Sequence, residues 1–137
     1  MPSEFWLAFE SFLETRPKSP FITTAEGRLS YAEVFRKVSQ VSEGELVSVE
    51  NLRENSADSV IRWLAAERLK GGPQNPPSYE VVGTSGSTGA PREFRVSEKA
   101  QLVTARAINN EILQGGEVDE LIVLPISHSS GRGRLKA

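Results

Sequence analysis

Cysteine is absent from the 137 residues, so neither a disulfide framework nor a thiolate metal site can occur, and the redox compartment goes unmarked. A single histidine, His128, excludes a zinc site built on several imidazoles. Long apolar runs are lacking too: no stretch approaches the roughly 20 residues needed to span a bilayer. The N-terminus carries Glu4, Glu10 and Glu14 among its apolar residues and has no basic segment, which argues against a secretory signal. Neither sign of charge dominates. The net charge of −2 gives no general electrostatic case for nucleic acid or an anionic membrane. A cytoplasmic protein is the expectation these absences leave.

Several motifs are missing as well. There is no internal repeat. No G-x-S-x-G elbow occurs, so Ser127-His128-Ser129 is a tripeptide and not part of a hydrolase triad. What remains is the composition of an ordinary soluble protein, 38% hydrophobic and 25% charged, long enough for one domain with a real core.

Periodicity divides the chain into alternating elements. Phe5, Phe9 and Phe12 recur at helical spacing, widened by Trp6 and Leu13, and predict an amphipathic helix over 3–15 that Pro17 and Pro20 end. Residues 21–24 form a short strand candidate, followed by a turn at Glu26-Gly27. Ser30-Tyr31-Ala32-Glu33 is a capping-box pattern opening a helix to about Gln40, which Gly44 closes. Residues 46–49 are a buried-strand candidate. Asn55 or Ser56 caps a third helix with Val60, Ile61, Leu64, Ala65 and Leu69 on its apolar face; Gly71-Gly72 stops it and 71–77 is a linker. A strand at 79–82, a second through Phe94 and Val96, a helix from Ser97 to Leu113 and a fully apolar strand at 121–124 complete the pattern. The fold expected is an α/β layered domain with a mostly parallel sheet flanked by helices.

Between two of these elements lies Gly83-Thr84-Ser85-Gly86-Ser87-Thr88-Gly89-Ala90-Pro91-Arg92. Its glycines permit positive φ and close approach of backbone N–H groups to an anion, hydroxyls add donors, and Arg92 offers a planar counter-charge. The spacing is neither that of a Walker loop nor G-x-G-x-x-G. Gly/Ser composition alone also fits a flexible linker.

Residues 84–92 resemble the phosphate-binding core motif of the adenylate-forming superfamily, roughly T-S-G-[ST]-[ST]-G-x-P-K-G. This superfamily comprises acyl- and aryl-CoA ligases, adenylation domains of nonribosomal peptide synthetases, and luciferases. Arg92 stands where the family has lysine, and Glu93 where it usually has glycine. Gly27-Arg28-Leu29-Ser30-Tyr31-Ala32-Glu33 is similar to the family's early R-L-[ST]-Y-x-E-L segment. Glu54-Asn55-Ser56 through Leu64-Ala65-Ala66 is similar to its E-N-S helix. About ten residues then precede the strand at 79, where the family has several tens more, which implies a compact member or a lost segment. Leu124-Pro125-Ile126-Ser127-His128-Ser129-Ser130-Gly131 resembles the family's L-P-[LM]-[FY]-H-x-x-G, with Ser127 in place of the aromatic. By itself a lone histidine after a strand also fits a hydrogen-bonded structural role.

The resemblance implies the partial N-terminal domain of an ATP-dependent, carboxylate-activating ligase, of the acyl- or aryl-CoA synthetase kind. Thr84, Ser85, Gly86, Ser87, Thr88, Gly89 and Arg92 would hold the phosphates of ATP, and His128 and Gly131 would lie on the acid side. Mg2+ would accompany ATP, and coenzyme A or another thiol would accept the acyl group. No protein metal ligand is expected. The family's Y-G-x-T-E and T-G-D segments and its catalytic lysine are not found, so these 137 residues alone are not expected to complete the reaction. Two rival readings stand beside this one: a non-catalytic phosphate-binding module, and a scaffold domain in which the glycine stretch is only a turn.

Overall fold

The computed structural model of the protein describes residues 2–46, 52, 54–70, 79–83, 93–116 and 135–136. These residues form an α/β arrangement of four α-helices and two antiparallel strand pairs.

Helix α1 (Glu4–Thr15) starts where Ser3 Oγ accepts the amide of Trp6 at 3.3 Å, and it buries Phe5, Trp6 and Phe9. The expected apolar stripe ends sooner than its spacing predicts. Phe12 is 45% exposed, and its ring lies 6.1 Å from that of Tyr31, with the Arg16 guanidinium 5.7 Å from its centroid. The last turn of α1 therefore projects beyond the core.

Strands β1 (Pro20–Thr24) and β2 (Gly27–Ser30) pair across a tight turn, with Thr24 opposite Gly27. Gly27 has φ +129°, a conformation that a side chain would strain although nothing crowds the position. The turn is where the sequence places it. Strand β2 is not anticipated there, because its four residues run directly into the helix-capping signal.

That signal is fully realised in α2 (Tyr31–Ser39). Ser30 Oγ accepts the Glu33 amide at 3.2 Å, and Glu33 Oε2 accepts the Ser30 amide at 2.9 Å. The amides of Tyr31 and Ala32 donate to the carbonyls of Ser19 and Pro17, so the first turn of α2 is sewn to the α1–β1 connection. Gly44 does not close this helix as its position suggests. Gln40 is the C-cap in right-handed conformation, and Gly44 lies in a separate 3-10 turn, Glu43–Glu45.

Helix α3 (Ala57–Leu69) is capped by Ser56, whose Oγ accepts the Ser59 amide at 3.2 Å, so of the two candidate caps Ser56 is used. It packs on α1, α2 and β1. Ile61, Leu64 and Ala65 are buried as expected, and so are Trp63 and Glu67. Aromatic rings join the three helices: Trp6 of α1 stacks on its neighbour Phe9 and on Phe35 of α2 at 5.3 and 6.1 Å, and Phe5 of α1 meets Trp63 of α3 at 6.4 Å. The Arg68 guanidinium caps this stack, 5.5 Å from the Trp6 centroid and 5.9 Å from that of Phe35. Glu67 is compensated by Lys70 Nζ at 2.9 Å, and the carbonyl of Glu67 accepts the Ser3 amide.

Strands β3 (Tyr79–Gly83) and β4 (Glu93–Ser97) pair antiparallel, from Tyr79 opposite Ser97 to Gly83 opposite Glu93. Ser97 ends β4 and caps α4 (Glu98–Ala107), its Oγ accepting the Ala100 amide at 3.2 Å. A π-turn, Ile108–Ile112, continues this helix, and the chain leaves it through Gln114 at φ 56° and Gly115 at φ 67°. The expected stop at Gly115-Gly116 is thus observed. Both strand pairs formed by the described residues are antiparallel, whereas sequence alternation predicts a mostly parallel sheet. Alternation reports the order of elements but not which neighbour a strand chooses. The strand candidate at 121–124, most of that at 46–49 and the linker at 71–77 lie outside the described residues.

Candidate functional site

The glycine motif begins and ends on the β3–β4 pair. Gly83 is the last residue of β3, Glu93 is the first of β4, and the two are register partners. Paired strands hold such positions about 5 Å apart, so residues 84–92 leave and re-enter at one point. That interval is longer than the roughly two to five residues common in hairpin loops, and loops of unneeded length on a paired scaffold carry binding functions disproportionately. The strands expected on either side of the motif are both present, and they are antiparallel partners of each other, not parallel strands joined by a crossover.

The binding residues themselves fall outside the described set: Thr84, Ser85, Gly86, Ser87, Thr88, Gly89 and Arg92 in the loop, and His128 and Gly131 in the second motif. What the structure provides is their framing. Glu93 has its backbone at the end of the strand pair, opposite Gly83.

Behind the hairpin stands the start of α4. Gln101 is buried at 5% exposure; its Nε2 donates to the Val96 carbonyl on β4 at 2.9 Å, and its Oε1 accepts from Lys136 Nζ at 2.9 Å. The Glu98 carboxylate accepts the Glu4 amide at 2.7 Å and joins α4 to the first turn of α1. Lys136 is half-buried, with Nζ 5.4 Å from the centroid of Phe5, and Leu135 packs on the core. Sequence reasoning assigns the basic residues Arg132, Arg134 and Lys136 no role. For Lys136 the structure differs. No sequence signal marks Gln101 beyond its helical spacing to Ala105, the other buried residue of α4.

Two further buried polar atoms were not anticipated. Among the described residues, Trp63 Nε1 and Glu67 Oε2, one helical turn apart on α3, have no hydrogen-bond partner. The same Trp-x-x-x-Glu spacing on α1 is bonded, with Trp6 Nε1 donating to Glu10 Oε1 at 2.8 Å. Among the described residues no group of three or more His, Asp or Glu side chains stands close enough to hold a metal ion, and no helix is long and apolar enough to cross a membrane.

Comparison with protein-family models, with curated proteins and with solved structures finds no match to this chain.

Proposed function

We propose that the chain is the N-terminal part of an ATP-dependent, acyl-adenylate-forming ligase acting on a small carboxylic acid in the cytoplasm. The observation that carries the reading is the glycine motif suspended between two paired strands, with Gly83 and Glu93 closing its base. Fixed flanks of this kind are what a phosphate site built from the intervening amides and hydroxyls would require. In the reaction, a carboxylate oxygen of the acid attacks the α-phosphorus of ATP. The bond from that phosphorus to the β-phosphate oxygen breaks, and pyrophosphate leaves. The role assigned to Thr84, Ser85, Ser87, Thr88 and the amides of Gly86 and Gly89 is to donate to the β- and γ-phosphates, with Arg92 offsetting the negative charge that builds on the leaving pyrophosphate. Mg2+ would share that neutralisation. His128 and Gly131 would border the acid. A thiol such as coenzyme A then attacks the acyl carbon and releases AMP, a step that draws on sequence motifs absent from these 137 residues.

The parallel sheet belongs to the same proposal. The chain leaves the α4 segment at Gly116, roughly 20 Å along the helix from Gln101, yet Lys136 is back beside Gln101. Such a return along the helix is what a β-α-β crossover needs, with 121–124 as a strand parallel to β4.

The test is an amide-resolved NMR titration of the chain with Mg-ATP, beside Thr88→Ala. Shifts centred on residues 83–92, with affinity about tenfold weaker in the variant from loss of one hydrogen bond to a charged oxygen, support the reading. A folded chain that binds Mg-ATP equally well in both forms, or does not bind it, refutes the assigned phosphate grip. Binding with no acid-dependent adenylate formation once downstream sequence is restored would identify a phosphate-binding module instead.

A further inference from the structure

We propose that Gln101 is a positioning residue, a clamp that fixes the chain following the His128 motif to the strand leaving the glycine motif. Its functional consequence rests on the nucleotide reading above; the clamp itself rests on geometry. A primary amide seldom occupies a site only 5% exposed unless both of its ends are bonded, and here both are. Nε2 holds the Val96 carbonyl at 2.9 Å, and Oε1 takes a charged donor, Lys136 Nζ, at 2.9 Å. Val96 is the register partner of Glu80, so the bond grips the strand pair whose other end opens into residues 84–92. On the far side Lys136 is seated over Phe5, and Leu135 is packed against the core, so this short stretch beyond His128 is tied down at two points.

The arrangement addresses a specific need. The acid and the α-phosphorus must meet in line, and misplacement by about 1 Å costs on the order of a hundredfold in rate. One motif is proposed to hold the phosphates and the other to border the acid. Gln101 bonds to both of the chain segments that adjoin them.

The experiment is NMR on the full chain with Lys136→Met, Lys136→Arg, Gln101→Met and the Lys136→Met/Gln101→Met double variant. Without ligand, Lys136→Met is expected to shift amide signals of β4 and of its partner β3, whereas Lys136→Arg, which keeps a donor, leaves them in place. In the Gln101→Met background, Lys136→Met should add nothing on those strands. Shifts confined to α1 around Phe5, or equal β4 shifts in both backgrounds, overturn the clamp. A second arm adds Mg-ATP and observes the imidazole of the only histidine in the chain. The wild-type chain and Lys136→Arg should transmit nucleotide binding to His128; Gln101→Met should lose that response, with affinity lowered about three- to tenfold. An unchanged His128 response in Gln101→Met overturns the clamp and leaves the nucleotide reading standing. A wild-type chain that does not bind Mg-ATP sinks the nucleotide reading, and the first arm then decides the clamp alone. Should Gln101→Met fail to fold, Gln101→Glu keeps the volume and the Lys136 partner while losing the donor to Val96, and takes its place in both arms.

Discussion

Tyr31 stands at the meeting point of α1, β1 and α2, its ring 4.9 Å from that of Phe21 and 5.5 Å from that of Phe9. Burial among these rings disfavours the phenolate and raises its pKa above the usual value of about 10, a tendency the nearby Arg16 guanidinium opposes. The sign of the consequence is fixed by linkage. With the folded pKa above the unfolded one, the stabilisation is complete below about pH 10 and is lost as pH rises through the folded value. Urea unfolding at stepped alkaline pH should therefore show the wild-type chain losing stability more steeply than Tyr31→Phe, and phenolate absorbance should place Tyr31 above free tyrosine. Titration of Tyr31 at or below the free value would contradict the packing described. Glu26 acts with the opposite sign: the Thr24 hydroxyl donating to its carboxylate at 2.9 Å lowers its pKa, so its small, solvent-screened contribution is present above the ordinary carboxylate range and lost as pH falls through the lowered value. Residue chemistry of this kind was only partly legible beforehand. Glu67, which the sequence does not single out, is 4% exposed, because α3 is covered on more than one side and Lys70 folds back to pair with it.

Elements were more legible where a local signal suffices. A capping box depends only on residues three apart, and Ser30 with Glu33 forms both of its bonds. Ser30→Ala should cost about 1 kcal/mol in denaturant unfolding, and Glu33→Ala should cost less than that again on top of it, since the two bonds support one turn. Full additivity of the two substitutions would show that the bonds act separately. The start at Ser97 was readable too, that at Ser56 only as one of two candidates, and the cap at Ser3 was not singled out, although each serine accepts an amide three residues on. Strand β2 was not, since Gly27-Arg28-Leu29-Ser30 has no alternation to distinguish it and owes its pairing to β1. Strand partnership also escaped. The run at 79–83 is apolar enough for a parallel sheet, but β4 is its neighbour through a loop that returns directly, and pairing follows the loop. The glycine motif was visible as chemistry, while its placement at the closed base of a hairpin required the structure.

At the scale of the molecule, packing divides unevenly. Phe5, Trp6, Phe9, Val34, Val38, Ile61, Trp63, Leu64 and Ala65 form most of the buried cluster, and all come from α1, α2 and α3. Helix α4 adds Ala105 to it, with Leu102 only partly buried, while Val103 and, in the π-turn that follows, Ile112 are 60% and 58% exposed. Regions with little buried apolar surface open at lower free energy than the core to which they are attached. Helix α4, held through Glu98, Gln101 and Lys136, should therefore open before the α1–α3 half. Native-state hydrogen exchange reads this directly: amides of α4 should exchange at least about 1 kcal/mol below those of α3. Equal free energies in both would mean one cooperative unit and would contradict the division. The same measurement connects stability to function, because a ligand that binds only the closed form stabilises it by about 2.7 kcal/mol at a hundred times its dissociation constant. If residues 84–92 hold Mg-ATP, that protection should appear first in β3, β4 and α4. Protection appearing instead in α1 and α2 would locate the nucleotide on the other half of the chain and remove the glycine motif from its role.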